Sequence, residues 1–270
     1  MTRSRLLLRV IVLTYVGLLI ALPLGFVFER SLSHGLGAFV SALRDPAMDD
    51  ALVLTLKVVL LAVPLNVIFG IGTSLWIVRH PSRLTRVLDI LIDVPLAISP
   101  IIVGLILELA YAQSGWFGSA FAAWGWHVMF SLPAIVIASV FVSLPLVSRQ
   151  VIPLLREVGT HQEETAQSLG AGPVRVFFTI TMRSITWAAA YGVSLTLARV
   201  LGEYGAVLIV SGNISQVTQT LTLNIGANFE NFNDFQGFVG ASLLSLASLA
   251  LLIVLSTARY RERRRHDYLV

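Results

Sequence analysis

Residues 58–78 read VVLLAVPLNVIFGIGTSLWIV, twenty-one consecutive positions without a charge. A helix of ~20 apolar residues crosses the hydrocarbon layer of a bilayer, so this stretch predicts a transmembrane helix. It has companions. Val10 to Phe28, Leu109 to Ser148 and Phe235 to Ala258 are also uncharged, and the run from Leu109 is too long for one crossing. Charged residues make up 13% of the 270-residue chain and apolar ones 56%, whereas a soluble domain carries about a quarter charged residues. The reading is an all-α polytopic membrane protein with about six transmembrane helices. These fall near residues 8–28, 53–78, 87–111, 131–156, 184–210 and 236–258.

The positive charges give this arrangement a direction. Of nineteen Lys and Arg, fifteen lie on one side: Arg3, Arg5 and Arg9 before the first span; Arg79, Arg83 and Arg86 after the second; Arg149, Arg156, Arg175 and Arg183 around the fourth and fifth; and five from Arg259 to Arg265 after the sixth. The other side holds Arg30 and Arg44, while Lys57 and Arg199 lie within spans. Basic residues favour the cytoplasm, so both termini are expected inside, in a multi-pass protein of the cytoplasmic membrane. The same distribution accounts for the net charge of +4 without a nucleic-acid partner. The first run is longer than a usual signal-peptide core and lacks a small-x-small cleavage site, so it reads as an uncleaved span. Between Ser114 and Trp126, Trp and Gly are concentrated, as befits an outer loop with a short helix at the lipid–water interface.

Several chemistries are excluded. There is no cysteine, hence no disulfide or thiol chemistry. A phosphate-binding loop needs G-x-x-x-x-G-K-[ST], and the only lysine, Lys57, is followed by Val58. His34, His80, His127, His161 and His266 are scattered without metal-ligand spacing. No catalytic residue is expected, and any work must draw its energy from a partner or a gradient. Gly70 and Gly72 lie inside a span, where small residues permit close helix packing.

The loop between the fourth and fifth spans is the most specific segment. Thr160 and Glu163 have capping-box spacing, Glu163 and Glu164 sit in the positive first turn, Gly170 is placed as a left-handed stop and Pro173 opens the next helix. A short cytoplasmic helix with sharp ends is predicted, with Ala166 and Leu169 on one side. Glu164-Thr165-Ala166 followed by Leu169-Gly170-Ala171 resembles the E-A-A-x-x-x-G motif of ABC-importer permeases. Thr165 replaces the first Ala, and in the later I-x-L-P element, matched by Ile180-Thr181-Met182-Arg183, Arg183 replaces the Pro. Ala198-Arg199-Val200-Leu201-Gly202-Glu203-Tyr204-Gly205-Ala206 resembles an element of oxyanion permeases, as does Asp93-Val94-Pro95-Leu96-Ala97-Ile98-Ser99-Pro100. Together, over about residues 50–258, these elements look most like the W-type membrane subunit of sulfate/thiosulfate importers.

The resemblance implies a type I ABC-importer permease fold, one transmembrane domain over residues 1–270 with a coupling helix over about 160–172. Glu163, Glu164, Thr165, Ala166, Leu169, Gly170 and Ala171 would dock on the ATPase. The implied partners are a related T-type permease, two ATPase subunits that hold ATP and Mg, an extracytoplasmic sulfate-binding protein and membrane lipid; this chain itself would bind no cofactor and no metal. Substrate would pass by alternating access, near Arg199, Glu203 and Ser99. Arg199 and Glu203 lie four residues apart on one helix face and read either as an ion pair facing the bundle or as a pair lining the pathway. Glu108 reads as a residue reaching the outer face or as a proton relay, and Lys57 as a snorkelling side chain. Molybdate or another oxyanion is the alternative substrate, and a gradient-driven transporter the alternative class.

Overall fold

Apolar length and two sharp interruptions organise the chain. The structure, a computed structural model, describes residues 3–267. Side chains of residues 3–7, 122, 252, 255, 256 and 258–267, and with them the topological arginines Arg3, Arg5 and those from Arg259 onward, lie outside the described residues. The helices are α1 (Arg3–Leu32), α2 (Gly35–Leu43), α3 (Pro46–Arg79), α4 (Arg83–Leu91), α5 (Val94–Ala97), α6 (Pro100–Tyr111), α7 (Gly118–Ala123), α8 (Leu132–Ser143) and α9 (Pro145–Val158). They continue with α10 (His161–Ser168), α11 (Pro173–Val176), a π-helical turn at Phe177–Thr181, α12 (Met182–Leu201), α13 (Gly205–Ser211), α14 (Leu221–Glu230) and α15 (Asp234–Asp267).

Among the described residues, Leu8–Leu32, Pro46–Arg79, Leu132–Val158 and Asp234–Leu251 are each long and apolar enough to cross a membrane. Counting each of two bent pairs as one span brings the number to six: Arg83–Ala97 with Pro100–Tyr111, turned by 110°, and Pro173–Leu201 with Gly205–Ser211, turned by 56°. The expected third span over 87–111 is therefore not one helix. Pro100 lacks an N–H and pushes its predecessor Ser99 out of the helical region; Ser99 and Ile98 before it are extended, with ψ of 136° and 138°. The expected fifth span over 184–210 is likewise broken between Leu201 and Gly205.

The core is built by α3, α8, α9, α12 and α13, while α1 packs on α15 and α2 at the periphery. Val58, Ala62, Ile135, Val200, Val207 and Leu223 form one buried cluster; Ile71, Val147, Val151, Leu155 and Ile185 form another. Helices in lipid gain from close backbone approach through small residues, and Val147 of α9 sits in such a contact on two sides. A Cβ at Gly70 of α3 would come within 2.6 Å of Val147 Cβ, and one at Gly192 of α12 within 2.8 Å of Val147 Cα. The packing expected of Gly70 is found; Gly72 faces open space instead. Asn66 of α3 donates to Ser143 of α8 at 2.6 Å, with both residues fully buried.

The outer loop carries α7, with Trp116, Trp124 and Trp126 exposed around it, as its composition suggested. Glu108 is half-buried near the end of α6 and lines a cavity with Tyr111, Gln113 and His127 beneath this loop. Lys57 is exposed on α3.

Replacing Gly70 by Ala is expected to cost about 1–3 kcal/mol by overpacking against Val147, whereas Gly72→Ala is expected to be neutral or slightly stabilising through helix propensity. Thermal midpoints of the two purified variants check this, and equal midpoints would contradict the close crossing of α3 and α9.

Candidate functional site

Helix α10 stands at the cytoplasmic end with none of its residues buried. Its C-terminus forms the stop expected from sequence. Gly170 adopts φ +87°, the Ala171 N–H donates to Ala166 O at 3.0 Å and the Gly170 N–H to Gln167 O at 2.9 Å. This is the double bond pattern of a Schellman cap. Pro173 occupies the first turn of α11, as expected.

The N-terminus differs from expectation. Thr160 precedes the helix but its side chain caps no backbone N–H; its hydroxyl donates instead to Glu164 Oε1 at 2.5 Å. Glu163 does not reach back to complete a capping box, because two other groups claim it. Arg79, the last residue of α3, is hydrogen-bonded to Glu163 Oε1 through Nη2. The Thr181 hydroxyl, at the end of the π-turn, donates to the same oxygen, and Arg79 Nη2 also donates to Thr181 Oγ1 at 3.1 Å. The Glu163 side chain is only 13% exposed. A charge-assisted contact of this kind is stronger than a neutral hydrogen bond, and here it joins α3, α10 and the base of the fifth span.

The residues expected to dock thus divide. Glu163 points inward, Glu164 is exposed, and Thr165 is exposed with its hydroxyl turned back to His161 O at 2.8 Å. Ala166 and Ala171 are half-buried, whereas Leu169 is 85% exposed, so Ala166 and Leu169 do not share one buried side. Val174 and Phe178, which sequence reasoning did not single out, add two further exposed apolar side chains just beyond. Their signal was apolar residues in a segment already read as cytoplasmic.

The pathway candidates gather where the two bent spans meet. Ser99 is exposed at the break before α6. A Cβ at Gly205, the first residue of α13, would lie 3.1 Å from Ile101 and 3.2 Å from Pro100, and one at Gly104 would lie 2.9 Å from Ala206 O. The breaks are thus in contact. Glu203 is buried, and its Oε1 accepts from the Ala206 N–H at 2.9 Å, capping α13. Its Oε2 has no hydrogen bond and lies 3.3 Å from Arg199 Nη2. Arg199 itself remains 40% exposed. Sequence spacing found the pair; the capping role of Glu203 depends on the break and was not visible. A separate ionic cluster holds the inner end of the third span: Arg149 donates to both carboxylate oxygens of Asp93 at 2.6 Å and to Asp89 at 2.7 Å.

Comparison with known proteins places this geometry in a family. The family described as binding-protein-dependent transport system inner membrane component matches residues 66–265. A sulfate transport system permease protein CysW of Synechocystis sp. is 40% identical over 81% of this chain and 79% of its own length. The protein of that name from Escherichia coli is 37% identical over 77% of this chain and 71% of its own. The solved structure of a bacterial ABC transporter involved in the import of the acidic polysaccharide alginate superposes with a TM-score of 0.73 at 17% identity, covering 97% of this chain and 96% of that one. The chain belongs to the inner-membrane components of binding-protein-dependent transport systems and is an ABC-importer permease of the CysW type.

Proposed function

We propose that this chain is a sulfate-translocating permease subunit that pairs with a related permease, receives substrate from an extracytoplasmic binding protein and is driven by two ATPase subunits docked from the cytoplasm. The observation that carries the coupling part is α10. It is a short helix with no buried residue, yet it is tied into the bundle by Glu163, Arg79 and Thr181. An isolated eight-residue helix is marginal in water, so this tie and the Schellman stop hold its shape. Glu164, Leu169, Val174 and Phe178 offer the outward face for the ATPase, and Glu163 passes its displacement to α3 and the fifth span. ATP and Mg belong to the ATPase subunits in this reading. The names of the CysW relatives support sulfate as the substrate.

In the pathway, the exposed guanidinium of Arg199 offers a positive charge to a passing dianion, and buried Glu203 holds it in place. Unwound backbone within a membrane is tolerated where it is packed in protein or lines a wet cavity, which supports a pathway beside the Ser99 and Gly202–Tyr204 breaks.

A cysteine at Leu169 in this cysteine-free chain is expected to crosslink to the ATPase subunit in the assembled transporter. One at Glu163 is expected to react poorly, and a scan of 161–171 without any product would remove the docking role. Glu163→Gln should keep ATP hydrolysis but lower uptake of labelled sulfate about tenfold or more, since a charge-assisted bond is worth roughly 1.5–3 kcal/mol; unchanged uptake would make the tie dispensable. Arg199→Gln alone strands a buried carboxylate, so the informative variant is Arg199→Gln with Glu203→Gln. It should restore folding and assembly while sulfate uptake stays lost, with thiosulfate and molybdate competition measured alongside in the parent. Restored uptake would assign the pair a purely structural role.

A further inference from the structure

Helix α4 presents two contrasting faces at the cytoplasmic end of the second span. Leu84, Val87, Ile90 and Leu91 are 59%, 51%, 65% and 54% exposed, respectively. On the other side, Arg83, Arg86 and Asp89 line a cavity of about 380 Å³ together with Ser82, Thr85 and Arg156. The start of α4 is held firmly. Ser82 Oγ accepts from the Thr85 N–H at 3.2 Å, Thr85 Oγ1 accepts from the Ser82 N–H at 2.9 Å, and the Thr85 hydroxyl bonds His80 O at 2.8 Å.

The charges in this cavity do not balance. Asp89 is the one acidic lining residue, and its oxygens are already engaged by Arg149 at 2.7 Å and Arg156 at 3.0 Å. The guanidinium groups of Arg83 and Arg86 have no acidic partner among the described residues. An amphipathic helix with an exposed apolar face and arginines beside it lies in the plane of the membrane interface. Basic pockets between spans on the cytoplasmic side suit phosphate headgroups, and a guanidinium fork matches phosphate oxygens in a bidentate way.

We propose that this cavity holds the phosphate of an anionic phospholipid of the inner leaflet, with Arg83, Arg86 and Arg156 as its partners and acyl chains running along Leu84, Val87, Ile90 and Leu91. A free inorganic anion would satisfy the arginines but leave the apolar face uncovered, and a protein partner would need acidic groups to match them. The lipid satisfies both faces at once. Through Arg156, two residues before the end of α9, the headgroup also adjoins the segment that leads into α10.

The test is native mass spectrometry of the purified full chain titrated with phosphatidylglycerol or phosphatidylcholine, for the parent, Arg83→Gln with Arg86→Gln, Ile90→Ser, and Arg44→Gln as an outer-face control. Retention of phosphatidylglycerol should exceed that of phosphatidylcholine and fall about fivefold for each arginine removed. It should fall in Ile90→Ser and be unchanged in Arg44→Gln. A headgroup preference that survives the double substitution overturns the assignment. So does displacement of the lipid by inorganic phosphate or sulfate with no effect of Ile90→Ser, which would identify a free-anion site. Crosslinking of a cysteine at Ile90 to the second permease in the assembled transporter would show a protein on this face and equally overturn it.

Discussion

Backbone groups released from a helix inside a bilayer find no water in the hydrocarbon, and they must be met by protein or by a wet cavity. The two breaks in this chain satisfy that constraint by local means and by meeting each other. At the break after α12, the Gly202 and Glu203 N–H groups still bond back to Ala198 and Val200, Thr222 donates to Glu203 O at 2.8 Å, and Glu203 caps the Ala206 N–H. The break before α6 lies directly against Gly205, where Pro100 and Ile101 leave little room for a side chain. One buried carboxylate therefore serves both backbone and charge: one oxygen closes a helix start and the other faces Arg199.

At the cytoplasmic end the connection is of another kind. There α10 touches the bundle chiefly through α11 and the π-turn, and its firmest polar link is the contact of Glu163 with Arg79 and Thr181. These three residues come from separate elements, so the contact ties α10 to the second span and to the foot of the fifth. The inner end of the third span is fixed independently, by Arg149 on Asp89 and Asp93. The tie of α10 and the anchoring of the third span thus use different charge groups.

Much of this was legible in sequence, for identifiable reasons. Spans follow from hydropathy and orientation from arginine placement, because both are sums over many residues. The end of α10 was readable because Gly170 and Pro173 act within a few positions of themselves. What escaped was what depends on distant partners or on bends. Glu163 has capping-box spacing, yet its carboxylate goes to a residue 84 positions earlier and another 18 later, and no local pattern encodes that competition. Pro95, Pro100, Gly202 and Gly205 were noticed as parts of motifs, but a hydropathy average runs straight through the 110° and 56° turns they permit. Gly70 and Gly72 look alike in sequence and differ only in whether Val147 stands opposite.

The π-turn at Phe177–Thr181 sits between α11 and α12, where the chain rises from α10 into the fifth span. A π-turn carries one residue more than an α-helical turn would hold, and each residue in a helix advances the azimuth by about 100°. The surplus residue therefore sets the angular phase of everything below it, bringing the Thr181 hydroxyl to Glu163 and fixing the compass bearing of α10. A single-residue deletion there would turn α10 by about 100° about the axis of the fifth span while leaving every side chain of that helix intact.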